Sequence, residues 1–411
     1  MPQEAEIAVA AHALKPSPPV RFVDTQASAL LDLMRGLAAL LVLGEHWRNL
    51  LFVDYRQVSL HKKALLLPYL LTAAGHQAVI VFFVLSGYLI GGSVFRSLRS
   101  GTWSLGIYFT HRLVRLWLVL LPGLLLGLLW DETGMHLGRA PLLYGGINLN
   151  HMTAHAVASA ISVKIFCGNL LFLEGWRVPL LGSNDALWSL TFEFWYYVMF
   201  PLGVLAVVRS TKAGARVACI VVLIAVVAVM QRGILLYMPI WLLGAALVAM
   251  PAVTLGKRHR WVVSILYFAL VLWLGVAKQI LPTVADYLLG VATLVLIWVL
   301  LSARSRADPS ERWVRGARGL SRFSFTLYVV HTPLLFFLVS FGPRDARWVP
   351  TLPHVVAALA MLAATLVYAY AVAWATEFRM DTVRGFVERR LGLVQRPSPT
   401  PHEMVLGAHA E

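Results

Sequence analysis

The sequence predicts an all-α fold: a polytopic membrane helix bundle of about ten transmembrane helices, with both termini on the cytoplasmic side. Three observations predict it. Apolar residues make up 59% of the 411 and charged residues only 13%, whereas soluble domains carry about 25% charged residues. The apolar residues gather into runs close to the roughly 20 residues that cross a hydrocarbon core of about 30 Å. The 35 Lys and Arg outnumber the 20 Asp and Glu, for a formal charge of +15, and they punctuate the runs as cytoplasmic loops do. So few charges cannot coat a soluble enzyme, and the same composition excludes intrinsic disorder and fibrous structure. Nucleic-acid binding, the other reading of a basic chain, fails because the basic residues lie between apolar runs.

Residues 1–20 are polar and proline-bearing, with Glu4 and Glu6. They lack the basic leader, short apolar core and cleavage site of a signal peptide, so the first run is expected to be kept as a helix. Apolar runs follow near 30–52, 64–94, 113–130, 187–208, 217–231, 233–250, 261–277, 285–302, 320–341 and 352–376, with a weaker one at 154–173. Basic loops lie at 95–116, 209–216, 257–260 and 303–322, and a basic tail follows Glu377. All of these face one side only if 154–173 does not cross fully and is instead re-entrant or surface-lying. Ten spans then follow; a crossing there makes eleven and moves half the basic loops outside. Gln231–Arg232–Gly233 fits a tight outer turn. The expected organisation is a membrane domain over 21–391 between disordered tails at 1–20 and 392–411. No repeat of 20–50 residues is evident. Cys167 and Cys219 form neither a CxxC pair nor a disulfide framework.

The informative residues are those that do not belong in a membrane. An ionisable group there costs at least ~2.5 kcal/mol and faces the bundle interior or a wet cavity. The first run contains Asp32, Arg35, Glu45 and His46. Helix geometry puts Arg35 and His46 about 20° apart around the axis and about 16 Å apart along it. One face therefore offers a cation near the inner surface and an imidazole well above it, with Asp32 on the same stripe. Asp32 and Arg35 also read as a plain i,i+3 ion pair. Ser86 and Gly87 place a hydroxyl and a small residue in the second span, either for chemistry or for close helix packing. Arg112 and Arg115 are an inner-side pair, either positive-inside anchors or a phosphate clamp, since arginine presents a planar fork of donors. Trp188, Ser189 and Glu193 open the fourth span; Ser189 and Glu193 share a face, and His46 is the expected partner of Glu193. Ser324, Tyr328 and His331 line one face of the ninth span, as a polar seam or as substrate contacts. Glu377 ends the tenth span beside Arg379, where a snorkelling pair is one reading. His151 and His155 are spaced for a metal, but no third ligand and no HExxH accompany them, so no metal is expected. Nucleotide-binding glycine loops are absent as well.

In this order the residues resemble the integral-membrane acyltransferase 3 family. Arg35, ten residues, His46 resembles its first-span hallmark. Phe82-Phe83-Val84-Leu85-Ser86-Gly87 is similar to its second-span motif, and Arg112-Leu113-Val114-Arg115 to its inner-loop arginine motif. Trp188-Ser189-Leu190 with Glu193 resembles its fourth-span signature, Ser324 to His331 its late segment, and Glu377 its terminal acid. The likeness runs from about 30 to 380. It implies transfer of an acyl group, often acetyl, to sugars, polysaccharides or other exported hydroxyl compounds. It further implies acyl-coenzyme A as a cytosolic donor substrate with no permanently bound cofactor, and a bacterial inner membrane as the site.

On that basis His46 is the expected general base, since its ordinary pKa of about 6.5 suits proton removal near neutrality. Glu193 is expected to orient the ring as a triad carboxylate does. Arg112 and Arg115 are expected to hold coenzyme A phosphates, with Arg35 completing a positive entrance. Ser86 is the candidate donor to the thioester oxyanion, and Trp188, Ser189, Tyr328 and His331 are candidate substrate contacts. The alternative is a multispan transporter or flippase for a glycan or lipid-linked precursor, since buried charges also suit ion coupling; a non-catalytic scaffold is the third reading.

Overall fold

The computed structural model describes residues 24–59, 61–137, 140–146, 156–208, 211–276, 281–344 and 346–393. The expected tail at 1–20, most of that at 392–411, and His151 and His155 lie outside the described residues. The chain runs through α1 (Gln26–Leu51), α2 (Lys62–Leu71), α3 (Gly75–Arg99), α4 (Leu105–His136), α5 (Val163–Leu170), α6 (Trp188–Val207) and α7 (Ala213–Val229). It continues through α8 (Arg232–Ala246), α9 (Lys257–Val276), α10 (Pro282–Leu300), α11 (Arg312–Arg322), α12 (Ser324–Phe341), α13 (Leu352–Ala375) and α14 (Met380–Arg390). Among the described residues there is no strand, only three isolated bridges. The all-α polytopic reading therefore holds.

Each of the ten apolar runs carries a helix, and among the described residues eight stretches are long and apolar enough to cross a membrane. Helix α7, at 17 residues, is shorter. The weak run over 154–173 yields α5, whose eight residues rise only about 12 Å and cannot cross. Two expected boundaries change. The run 64–94 breaks at Thr72–Ala74 into α2 and α3. The basic loop 303–322 is partly helical: α11 buries Val314, Ala317 and Ser321 while Arg312, Arg315 and Arg322 stay exposed. Its apolar face packs on α1.

Sequence explains the ends of these helices. Thr25 caps α1 by accepting from Ser28 N at 3.2 Å, and Ser162 caps α5 by accepting from Ile165 N at 3.2 Å. Each hydroxyl satisfies an amide that the helix leaves without a partner. Pro282 stands in the first turn of α10, where its missing N–H costs nothing.

Helix α12 is the axis of the bundle, with 78% of its span buried, and α4, α1 and α13 pack around it. Helix α13 turns Leu352, Val356, Val367 and Trp374 outward, as a lipid-facing helix does. Helices α3 and α8 cross at backbone contact. A Cβ on Gly87 would fall 1.9 Å from Trp241 O, and one on Gly244 would fall 1.9 Å from Val84 O. Gly87 thus serves close packing, the mode by which small residues join membrane helices, and it fixes Ser86 beside α8.

Candidate active site

The site grows from α1, which carries Arg35 and His46 on one unbroken helix. Two cavities lie along it. One is lined by Arg35, Ser86, Arg115, Ser189, Glu193 and Tyr328 among others; it is the arginine chamber. The second is lined by Glu45, His46, Asn49, His76, Trp188 and Tyr328 with apolar neighbours; it is the histidine chamber. Tyr328 is the residue common to both. The separation of Arg35 and His46 along α1 therefore places them in different chambers, as the helical arithmetic expects.

Helix α6 reaches this boundary because the loop before it is pinned twice. Asp131 on α4 accepts from Ser183 N at 2.8 Å and Ser183 Oγ at 2.6 Å. Gly182 takes φ +57°, and a Cβ there would stand 2.0 Å from Asp131 Oδ2. Asn184 Nδ2 donates to Val329 O on α12 at 2.9 Å. Ser189 consequently meets Tyr328, hydroxyl to hydroxyl, at 2.6 Å.

His46 does not meet Glu193. Its Nδ1 lies 2.8 Å from His331 Nε2, with ring centroids 5.0 Å apart. The partners fix both tautomers. His331 Nδ1 faces only carbonyl oxygens, Leu327 O and Tyr328 O, each at 2.9 Å, so it carries the proton. In the neutral ring Nε2 is then an acceptor, which Thr332 Oγ1 also approaches at 3.2 Å. His46 Nδ1 must therefore donate to it, and His46 Nε2 keeps its lone pair. His331, completely buried, is thus the orienting partner of His46 rather than a substrate contact.

Glu193 is occupied elsewhere, which corrects the expected triad. It accepts from Ser86 Oγ at 2.9 Å and from the Tyr197 hydroxyl. Ser86 in turn accepts from Trp241 Nε1 at 3.2 Å. The Ser86 proton points to a carboxylate, so Ser86 is not a free oxyanion donor. Arg112 is a second correction. It stacks over Tyr108 and Tyr197, 5.7 and 6.0 Å from the ring centroids, and only Arg115 of the pair lines the arginine chamber. Arg35 donates to Asp32 Oδ1 at 2.8 Å and, through Nε, to Ser321 Oγ at 2.7 Å, so the plain ion pair and the cavity position coexist. Glu377 accepts from Thr326 N at 3.1 Å and Oγ1 at 2.8 Å. It does not pair with Arg379, which sits over Trp374. Ser324 and Phe325 close the arginine chamber.

Sequence reasoning passed over His76, Asp286 and Tyr237. His76 Nε2 lies 2.9 Å from Asp286 Oδ1, and the Tyr237 hydroxyl donates to Asp286 Oδ2 at 2.7 Å. Asp286 is a lone carboxylate in the run 285–302, the same signal that singled out Glu193. No group of three or more metal-ligating side chains occurs among the described residues.

A multi-pass membrane bundle whose half-buried imidazole keeps a free ring nitrogen, next to a chamber lined by arginines, is of the class of membrane group-transfer enzymes. The acyltransferase 3 family model, described as an acyltransferase domain, matches residues 29–374. The chain belongs to that family and is an integral-membrane acyltransferase, acting between an acyl donor and a hydroxyl acceptor. No curated protein and no solved structure matches it.

Proposed function

We propose that the protein moves an acyl group, acetyl in the simplest case, from acyl-coenzyme A to a hydroxyl of a sugar, polysaccharide or other exported acceptor, with His46 as general base. The observation that carries this reading is the His46 ring: its tautomer is fixed, and it lines a chamber sharing Tyr328 with one lined by Arg35 and Arg115. The donor occupies the arginine chamber, its phosphates toward the arginines, and the acceptor occupies the histidine chamber. The arginine side faces the cytosol, as the positive-inside pattern requires, and both termini lie on that side.

His46 Nε2 takes the proton of the acceptor hydroxyl as that oxygen adds to the thioester carbonyl. The carbon–sulfur bond then breaks, and the proton passes to the departing thiolate. No electrons and no net protons are exchanged. His331 accepts a hydrogen bond from His46 Nδ1 throughout and, through its own bonds to two carbonyls, eases the positive charge that forms. Tyr328, common to both chambers, offers its hydroxyl to the developing oxyanion. Arg35 stays paired with Asp32 and supplies field rather than a proton. Thiol release from acetyl-CoA by the full-length protein in its membrane tests the reading. His46→Ala is expected to abolish release while the protein remains inserted; retained release removes the base assignment.

A further inference from the structure

The histidine chamber contains a second imidazole whose surroundings follow the same order as the first. Asp286 is sealed, with 5% of its side chain exposed, while His76 in front of it is 44% exposed. Asp286 has both oxygens engaged, one by His76 Nε2 and one by the Tyr237 hydroxyl. A carboxylate there accepts, so His76 Nε2 carries a proton, and Nδ1 is the ring nitrogen left to meet a ligand. Among the described residues no hydrogen bond to His76 Nδ1 is present, and the ring lines the chamber.

The position of that ring is tied to His46 through the backbone. Glu45, next to His46, accepts from His76 N at 3.0 Å. This contact needs glycine at 75, because a Cβ there would stand 2.2 Å from Glu45 Oε2. A carboxylate at the first turn of α3 is also favoured by the helix dipole. The start of α3 is thereby clamped to α1 at the residue beside the proposed base. Asp286 and Tyr237 hold the same ring from α10 and α8. An imidazole that merely filled space would need none of this orientation and would not be left facing a cavity.

We propose that His76 is a positioning and specificity-determining residue: its Nδ1 makes a hydrogen bond with a hydroxyl of the acceptor other than the one acylated. The inference rests on the reading of His46 as base and of this chamber as the acceptor side. It adds that the acceptor presents at least two hydroxyls to two oriented imidazoles, one that removes a proton and one that fixes the molecule. Water, with a single oxygen, satisfies His46 alone. The enzyme's choice between transfer and hydrolysis therefore depends on His76.

The test uses the full-length protein in membranes that contain its own acceptor, supplied with acetyl-CoA labelled in the acetyl group. The readout is the ratio of label in acceptor ester to label in free acetate. His76→Ala is expected to lower that ratio roughly tenfold, the worth of about one hydrogen bond, with little effect on the half-saturating concentration of acetyl-CoA. His76→Asn, which keeps a hydrogen-bonding group near Nδ1, is expected to recover most of the ratio. Asp286→Asn, which loosens the ring, is expected to fall between the two. A wild-type ratio in His76→Ala overturns the inference. So does loss of all thiol release in both His76 variants, since the ring is then structural. His46→Ala in the same assay separates the two claims. If that variant still transfers label, the base reading fails. If it is inactive while the His76 variants keep the wild-type ratio, this inference alone fails.

Discussion

The pairing of His46 with His331 makes a prediction that a lone histidine would not. His331→Leu removes the acceptor facing His46 Nδ1 and keeps an apolar side chain of workable size in a completely buried position. The 2.8 Å contact then leaves a buried N–H without a partner, which costs about 1–3 kcal/mol. The ring can avoid that cost by moving its proton to Nε2, the atom that must be bare to act as base. Either way the active tautomer is disfavoured by that amount, and each 1.36 kcal/mol is tenfold in rate. The expected fall in kcat is therefore roughly 5- to 150-fold, less than the loss on removing the base itself. The donor KM should stay within about twofold, because His331 touches neither arginine. His331→Gln places an amide oxygen near the lost Nε2 and should restore much of the rate. Thiol release at saturating acetyl-CoA measures all three proteins. A His331→Leu enzyme with wild-type kcat, or a His331→Gln enzyme no better than His331→Leu, would show that His46 needs no orientation from α12.

Two other predictions concern the donor side and the loop that supports α6. Arg115→Ala is expected to raise the acetyl-CoA KM about tenfold or more, as loss of a charged hydrogen bond implies, and to have little effect with S-acetylpantetheine, which lacks the nucleotide phosphates. Equal losses on both donors would refute the phosphate contact. Burial pushes the Glu174 carboxyl up to about 8, against the opposing pull of the Thr191 hydroxyl. The folded state thus holds a proton that the unfolded chain has released, and stability falls by about 1.4 kcal/mol per pH unit between the ordinary glutamate range and pH 8. Glu174→Gln should flatten that part of the profile and raise the melting temperature in detergent at pH 8; parallel wild-type and variant profiles over pH 5–8 would refute it.

The membrane architecture was legible because its cause is local. Run length and charge placement are properties of contiguous sequence, and each of the ten runs became a helix. The weak run at 154–173 yields only the eight-residue α5 among its described residues, in keeping with its low apolar content in sequence. The stripe from Arg35 to His46 was legible for the same reason, since one continuous helix fixes both angle and rise. Partners across helices were not legible. Glu193 and His46 looked matched in depth, but depth says nothing about azimuth, and the glycine crossing at Gly87 and Gly244 turns Ser86 to Glu193 instead. His331 was read as seam or substrate contact because its Nδ1 acceptors are backbone carbonyls of its own helix, which sequence does not display. Asp286 gave the right signal, but its partner His76 stands at a helix start, where a histidine in sequence looks like an ordinary interfacial residue.

The chamber arrangement also bears on the choice between an enzyme and a carrier. A carrier must open a route wide enough for its whole solute, alternately to each side. Here Tyr328, which lines both chambers, meets Ser189 at 2.6 Å, beside a loop fastened to α4 and α12 through Asp131 and Asn184. Fastening of that kind opposes passage of a sugar or a lipid-linked precursor. Transfer asks much less, because only a carbonyl carbon and one hydroxyl oxygen must come within reach of each other at the boundary. The free nitrogen of His46 points the same way. Ion coupling would call for a group that alternates between charged and neutral as it faces each side, whereas on the proposed reading His46, held by His331, takes a proton and returns it on the spot. Two chambers meeting at one phenol suit the proposed transfer across a barrier, with the acyl group as what passes between them.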